Sequence, residues 1–350
     1  MDCRAWWCMV RPMTNTRPLI WVLTDDRPGN AGQALGVAEA LNQPFVQKNI
    51  RYSSLGKLPN IVRGSTLIGV TDDSVAALVA PWPDLVIAAG RRTAPVARWI
   101  KRTAGQNVAL VQIMNPGRVG AADFDLIAIP RHDCDRPDGD LPNVVRITGA
   151  PHRYSNAKLE REAAAWAPRV KDLPRPYVSL FVGGATHQRP FPVALAKDVG
   201  ARVNALAKEL GGSVLLSTSR RTGVESEVAL LAALDAPHRA YLWGQEKDGA
   251  AENPYGGFLA LADVVVVTGD SVSMCSEACA NPASVYIYAP PDMVAPKHAR
   301  LHRDLFERGL AKPFTGTPPL FGHEAFTHAP LNAAGDIATR IEGLLAAGGK

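Results

Sequence analysis

The sequence predicts an α/β protein built of two doubly wound, parallel-sheet domains that face each other across a cleft. Short, continuously apolar runs recur along the chain, each followed by a segment with helical spacing. The series is interrupted once, by a charged and proline-rich stretch, and then restarts. With 350 residues, 47% of them hydrophobic and 20% charged, the chain can fill two ordinary cores without disulfides or metals. No apolar run approaches the ~18 residues that a membrane-spanning helix needs.

In the first series Leu19 to Leu23 is a strand. The loop TDDRPGN then opens a helix that carries Ala34, Leu35, Ala38 and Leu41 on one side. Leu67 to Val70 and Leu85 to Ala89 follow as strands. Thr93 to Arg102 is a helix, with Pro95 in the first turn where proline is tolerated. Val108 to Met114, Leu126 to Ile129 and Val144 to Thr148 complete the series. A charged helix, Ala157 to Trp166, leads into APRVKDLPRP, read as the linker.

In the second series the strands are Tyr177 to Val182, Ser213 to Ser217, Ala240 to Trp243, Asp263 to Thr268 and Ser284 to Tyr288. Between them lie helices at Pro192 to Leu210, Val224 to Leu234, Phe258 to Ala262 and Val272 to Ala280, with an amphipathic helix from Asn332 to Ala346 at the end. The expected boundaries are an extension at 1–16 (Met13 being an alternative start), a first domain at 17–165, a linker at 166–176, a second domain at 177–330 and a terminal helix at 331–350.

Lys and Arg number 38 against 33 Asp and Glu, a net charge of +5. That balance does not call for nucleic acid as a partner, and it suits an anionic ligand or an anionic membrane surface. The five cysteines, Cys3, Cys8, Cys134, Cys275 and Cys279, are odd in number and form no CxxC, which points to a reducing compartment. Dinucleotide, phosphate-loop, zincin and hydrolase signatures are missing, which argues against those enzyme classes. The acidic pairs Asp25–Asp26 and Asp72–Asp73 lack the neighbours that would make a metal site, so no metal is expected.

In open α/β sheets ligands sit beyond the carboxyl ends of strands. The strongest such segment is Val264 to Ala278, VVVVTGDSVSMCSEA. A buried strand meets a glycine and then a hydroxyl-rich helix start, whose unpaired amides attract phosphate. Asp270, Ser271 and Ser273 stand at this turn, and Glu277 is placed to accept from a ribose diol. Helix capping by Asp270 or Ser271 is the alternative. A second segment, Thr218 to Gly223, offers Ser219, Arg220 and Arg221 as an anion clamp, or a solvated loop. A third is Gly183-Gly184-Ala185-Thr186-His187, whose glycines permit close backbone approach. In the first series Asp25 or Asp26 can act as a general base or as a cap. Arg27, Asn30, Arg91 and Arg92 face the same side.

WVLTDDRPGNAGQALGVAEAL (21–41), AAGRRTAPVARWI (88–100), VQIMNPG (111–117), GAPHR (149–153), TSRRT (218–222) and VTGDSVSMCSEA (267–278) together resemble the bacterial and plant family named after the plant mitochondrial fission protein Elm (elongated mitochondria). That family is similar to glycosyltransferases of the two-Rossmann-domain type called GT-B. The resemblance implies a nucleotide-sugar donor held by the second domain, an acceptor held by the first, and a C-terminal helix that crosses back to the first domain. It implies that Ser271 and Ser273 hold the diphosphate, that Glu277 holds the ribose, that Gly183, Gly184, Ser219, Arg220 and Asp270 line the same pocket, and that Asp25 or Asp26 faces the acceptor. No cofactor is implied, since the nucleotide sugar is itself the substrate. A cell-envelope glycan or lipid acceptor, and a cytoplasmic location with peripheral contact at the inner membrane, follow from related transferases. The plant relatives are tied to organelle fission through a dynamin-like protein, so a catalytically silent GT-B-like scaffold is the second reading.

The sequence departs from the family pattern at Asp26, where relatives carry glycine, and at Asn281-Pro282-Ala283, where they carry Gly-Lys-Pro. A nucleotide-sugar epimerase of the dinucleotide-dependent type would need a Tyr-x-x-x-Lys pair. Tyr154 and Lys158 have that spacing without the glycine fingerprint.

Overall fold

A computed structural model describes residues 17–105, 107–117, 119–133, 141–245, 252–315 and 325–348. The expected extension at 1–16, with Cys3 and Cys8, lies outside them, as do Arg118 and Cys134. The first half holds β1 (Ile20–Thr24), α1 (Pro28–Ala40), β2 (Phe45–Asn49), α2 (Asn60–Arg63), α3 (Asp72–Ala76), β3 (Leu85–Ala89), α4 (Ala94–Ala104), β4 (Ala109–Ile113), β5 (Leu126–Pro130) and β6 (Val144–Ile147). The second holds α5 (Asn156–Val170), β7 (Tyr177–Gly184), α6 (Val193–Glu209), β8 (Ser213–Arg221), α7 (Val224–Ala232), β9 (His238–Tyr241), α8 (Tyr255–Leu261), β10 (Val264–Thr268), α9 (Val272–Ala278), β11 (Ser284–Tyr288), α10 (Pro296–Glu307), β12 (Lys312–Pro313) and α11 (Ala333–Gly348).

The strands form two six-stranded sheets, ordered β2-β1-β3-β4-β5-β6 and β12-β11-β10-β7-β8-β9, and every pairing is parallel. The fold is GT-B-like. Parallel strands buried on both faces must be apolar throughout, which is why IWVLT, LVIAA and VVVVT were legible as strands. The strand order reverses between β1 and β3 and between β7 and β10. Those two points, at the carboxyl ends, are where this architecture opens crevices.

Several expected elements shift. Leu67 to Val70 is not a sheet strand; Val70 makes only an isolated bridge to Tyr52. The edge strand β2, FVQKN, alternates weakly and escaped detection because its outer side is solvated. Thr218 to Arg221 is no loop but the end of β8, paired to β7 up to Gly184 across a register shift.

The largest correction concerns the linker. Helix α5 runs through Pro168 to Val170 and packs in the second domain, with Leu159, Trp166 and Val170 buried in its core. Trp166 meets Phe258 edge-on at 5.9 Å, and a side chain at Gly257 would collide with it. Residues 166–170 are therefore helix packed on the second domain, and 171–176 are the exposed or half-buried turn that leads into β7. The chain crosses between the domains earlier, near Gly149 to Tyr154, where the Ala150 amide donates to Ser276 Oγ at 2.9 Å. Helix α11 returns to the first sheet: Ile337, Ala338 and Ile341 are buried together with α1, β1 and β3. Cys275 and Cys279, one turn apart, both point into the second core as free thiols.

A second seam joins the domains where α10 meets the turn at Arg131–Asp133. Lys297 pairs with Asp133 at 2.6 Å, and Arg300 Nε donates to the His132 carbonyl at 3.0 Å. His132, His152 and His302 are all buried near the domain junction, and burial holds each imidazole down to about 4. In the unfolded chain they titrate near ~6.5. Between these values the unfolded chain binds protons that the folded chain refuses, so stability rises with pH across that window and is lost as pH falls below ~6.5. The melting temperature is expected to fall steeply between pH 6.5 and 4, and His152→Gln is expected to flatten the profile. A flat wild-type profile would refute this assignment.

Candidate functional site

The carboxyl ends of the two sheets enclose a cavity of about 630 Å³. One wall is the first turns of α1, with Pro28, Gly29, Gly32 and Gln33. The crossing segment and the start of α5 add Arg153, Tyr154 and Lys158. The far wall is the end of β8, Trp243 after β9, the start of α8, and α9 with Ser271, Ser273 and Glu277. Small residues bring α1 close to α9: a Cβ on Gly29 would stand 3.5 Å from Ser273 Oγ. A Cβ on Gly32 would meet nothing within 4 Å, since that face of the helix opens into the cavity. Gly32→Phe is therefore expected to leave the melting temperature unchanged while blocking ligand entry. Full retention of nucleotide binding, measured by calorimetry, would place the ligand elsewhere.

Glu277 is the single carboxylate among the described lining residues, which also include Arg153, Lys158, Arg220 and Arg221. Tyr255 donates its hydroxyl to Glu277 Oε2 at 2.8 Å and is itself held against the Phe181 ring at 4.5 Å. Burial pushes the Glu277 carboxyl up, while the Tyr255 hydroxyl and the Lys158 ammonium pull it back down. Lys158 sits 5.0 Å over the Tyr154 ring, and burial lowers its pKa. Arg153 is committed to Glu39, its Nε donating to Oε1 at 2.8 Å. Arg220 is exposed and makes no ion pair or hydrogen bond among the described residues. Ser271 caps α9, accepting from the Met274 amide at 3.3 Å.

Six of the residues singled out by sequence thus meet in the cavity: Ser219, Arg220, Arg221, Ser271, Ser273 and Glu277. Others do not line it. Asp270 is turned inward beneath Gly183, with Arg221 Nη2 2.9 Å from Oδ2 as an ion pair, and burial raises its pKa. It braces the ends of β7 and β8. Gly183 and Gly184 leave room for protein. A Cβ on Gly183 would strike Asp270, and one on Gly184, at φ +109°, would strike the Arg221 backbone. Ser219 Oγ donates to the Gly183 carbonyl, so its hydroxyl proton is already spent. His187 is exposed and outside the cavity.

Asp25, Asp26, Arg27, Asn30, Arg91 and Arg92 cluster at the reversal point of the first sheet. The Asp25 side chain is fully buried and bonded to Arg92 Nη2 at 2.9 Å, to the Arg27 amide at 3.1 Å and to Asn30 Nδ2 at 3.3 Å. These contacts hold Asp25 as an anchor of the turn and leave Asp26 the freer of the two carboxylates. Asp26 shares Arg92 but leaves 70% of its side chain exposed. Arg92 stacks 4.9 Å over Tyr52. Arg91 caps the carbonyls of Leu58 at 2.9 Å and Lys57 at 3.3 Å. Arg27 is exposed. Asn281, where the family pattern has a different triplet, is buried and bonds the Leu259 carbonyl away from the cavity.

Sequence reasoning missed Arg153, Trp243 and Tyr255 as cavity residues, and it set aside Tyr154 and Lys158. Trp243 is 44% exposed although its amide is pinned to Thr218 Oγ1 at 2.9 Å. GAPHR marked Arg153 by resemblance; nothing local marks Tyr255, which reaches Glu277 only through the packing of α8 on the second sheet.

Comparison with known proteins agrees with this architecture. The UDP-GlcNAc 2-epimerase from Methanocaldococcus jannaschii superposes with a TM-score of 0.52 at 10% identity, covering 93% of this chain and 99% of that one. A structure of the M. jannaschii enzyme in complex with UDP-GlcNAc and UDP gives 0.50 at 13% identity, with the same coverage. At such identities the likeness is one of fold. In sequence, Mitochondrial fission protein ELM1 of Arabidopsis thaliana is 34% identical over 289 residues, 76% of this chain but only 65% of the plant protein's length. The Uncharacterized protein RP120 of Rickettsia prowazekii is 28% identical over 356 residues, 92% of this chain and 97% of that protein. The profile of the family described as Mitochondrial fission ELM1 matches residues 28–345, and the chain belongs to that family.

Proposed function

We propose that the protein is a GT-B glycosyltransferase that moves a sugar from a nucleoside-diphosphate sugar to a hydroxyl of a cell-envelope glycan or lipid. The observation that supports this reading best is the cavity itself. It is sized for a nucleotide, it lies beyond the carboxyl ends of both sheets, and among the described residues it sets Arg220 and Lys158, neither paired to an acid, against one braced carboxylate. Arg220 and Lys158 are suited to the diphosphate, together with the Ser273 hydroxyl, and Glu277 to the ribose diol. Transfer requires the leaving diphosphate to be stabilised. Arg220 and Lys158 supply positive charge there without a metal ion. Asp26 is the carboxylate with freedom to take the proton of an acceptor hydroxyl at the first-sheet rim. The archaeal enzyme of similar fold, in complex with UDP-GlcNAc and UDP, favours a uridine nucleotide as first probe. The reading places the protein on the cytoplasmic side of an envelope membrane; no described helix is long and apolar enough to cross one.

A thermal-shift screen of nucleoside diphosphates and their sugars tests the proposal. Stabilisation by one base class is expected, by about 3 kcal/mol when ligand stands ~100-fold above its Kd. Silence across the whole panel would favour a scaffold of the fission type, which needs no nucleotide.

A further inference from the structure

The first domain carries a surface that the donor cavity does not use. Ile61 and Val62 on α2 are 70% and 60% exposed, and Leu55 and Ile68 beside it are 53% and 43% exposed. On a soluble surface single exposed apolar residues are ordinary, but a cluster of large ones on one feature is not. These four are held as one feature. Gly69 packs so tightly on the Leu55–Gly56 backbone that no side chain fits there. The buried Arg63 ties α2 to the Ile68 carbonyl at 3.1 Å and to the Arg92 carbonyl at 3.1 Å. Asn60 ties the same turn to the carbonyls of Arg91 at 2.9 Å and Pro116 at 2.8 Å. Asn60 and Arg63 thus face inward on a one-turn helix, and Ile61 and Val62 are forced outward.

Cations predominate beside the ridge, although exposed acids stand farther along the same domain, Asp72 and Asp73 at the start of α3 and Asp26 beyond Arg92. No Asp or Glu occurs between Glu39 and Asp72, nor between Asp84 and Asp123. Arg63 and Arg91 spend their donors on carbonyl oxygens, which leaves their charge unneutralised. Lys57 is exposed and makes no ion pair among the described residues. An exposed apolar ridge beside cations such as Lys57 and Arg91 that no acid neutralises among the described residues complements a surface with anionic headgroups over an apolar interior.

We propose that α2 and the Leu55 turn dock the first domain on an anionic lipid bilayer, with Ile61 and Val62 entering the headgroup layer and Lys57 and Arg91 meeting lipid phosphates. The ridge adjoins Arg91 and Arg92 at the carboxyl end of β3, so docking brings the acceptor side of the cleft to the membrane. Only this last consequence rests on the transferase reading; docking does not.

Sedimentation with vesicles tests it. The full chain is expected to pellet with phosphatidylglycerol–phosphatidylcholine vesicles, to stay in solution with phosphatidylcholine alone, and to be released by salt. The double substitution Ile61→Asp, Val62→Asp is expected to weaken binding by about ten-fold or more, and Lys57→Glu by about five-fold. Should the double variant fail to fold, Leu55→Ser and Lys57→Glu carry the same test. Equal binding by wild type and variants, no pelleting of wild type, or a wild-type dimer that the double variant converts to monomer in light scattering would each overturn the proposal. Binding of the nucleoside-diphosphate panel, measured on the same samples, separates the two ideas: silence across the panel with docking intact sinks the transferase reading alone.

Discussion

Alanine at Glu277 is expected to weaken nucleoside-diphosphate binding by about 10- to 100-fold, the cost of losing hydrogen bonds to a charged acceptor in a partly desolvated site. Isothermal titration with UDP and its sugars checks this. The reason is geometric: among the described residues Glu277 is the only carboxylate lining a cavity otherwise rich in cations, and Tyr255 fixes its position at 2.8 Å. Two companion variants separate binding from folding. Glu277→Gln keeps an acceptor for the Tyr255 hydroxyl and is expected to retain the wild-type melting temperature while losing most of the affinity. Tyr255→Phe leaves the carboxylate but frees it to move, and an intermediate loss is expected. If the alanine variant binds as wild type does, Glu277 does not touch the ligand and the donor assignment fails.

The second large effect is on stability. Arg92→Leu is expected to destabilise the first domain by about 3 kcal/mol, because it strands the buried Asp25 carboxylate without its cation. The amide of Arg27 and the side chain of Asn30 still bond that carboxylate, which keeps the loss at the lower end for a broken buried pair. A fall in melting temperature of roughly 6–12 °C should accompany it. Adding Asp25→Asn, which removes the stranded charge, is expected to recover part of the loss. Urea melts of the single and double variants check both statements. A loss below about 1 kcal/mol would mean that Asp25 finds other solvation and does not depend on Arg92. This experiment bears on function because the pair occupies the crevice of the first sheet.

The candidate site was legible in part. The placement of Ser271, Ser273 and Glu277 at the cavity was readable because it is set locally, by a buried strand that ends at a glycine and a helix that starts at once. Arg220 was readable as a cation among hydroxyls, although the segment that carries it is strand and not loop. The inward setting of Asp25 and Asp270 could not be read from sequence, for one shared reason. A carboxylate at a strand's carboxyl end looks the same in sequence whether it faces a ligand or an arginine from a neighbouring strand. Arg92 lies 67 positions from Asp25 in the chain, so nothing local announces their pairing.

The alternation of apolar runs with helical segments by itself determined two doubly wound sheets, because a strand buried on both faces must be apolar at every position and a covering helix must repeat near 3.6 residues. The local chemistry of the β10–α9 turn was fixed in the same way. Tertiary structure alone decided which domain owns α5, since Trp166 and Val170 are equally apolar whichever core receives them. It alone returned α11 to the first sheet, joined Tyr255 to Glu277, and turned Asp25 and Asp270 inward. Those outcomes depend on contacts between residues far apart in the chain, where burial and charge pairing outweigh any preference a local segment can express.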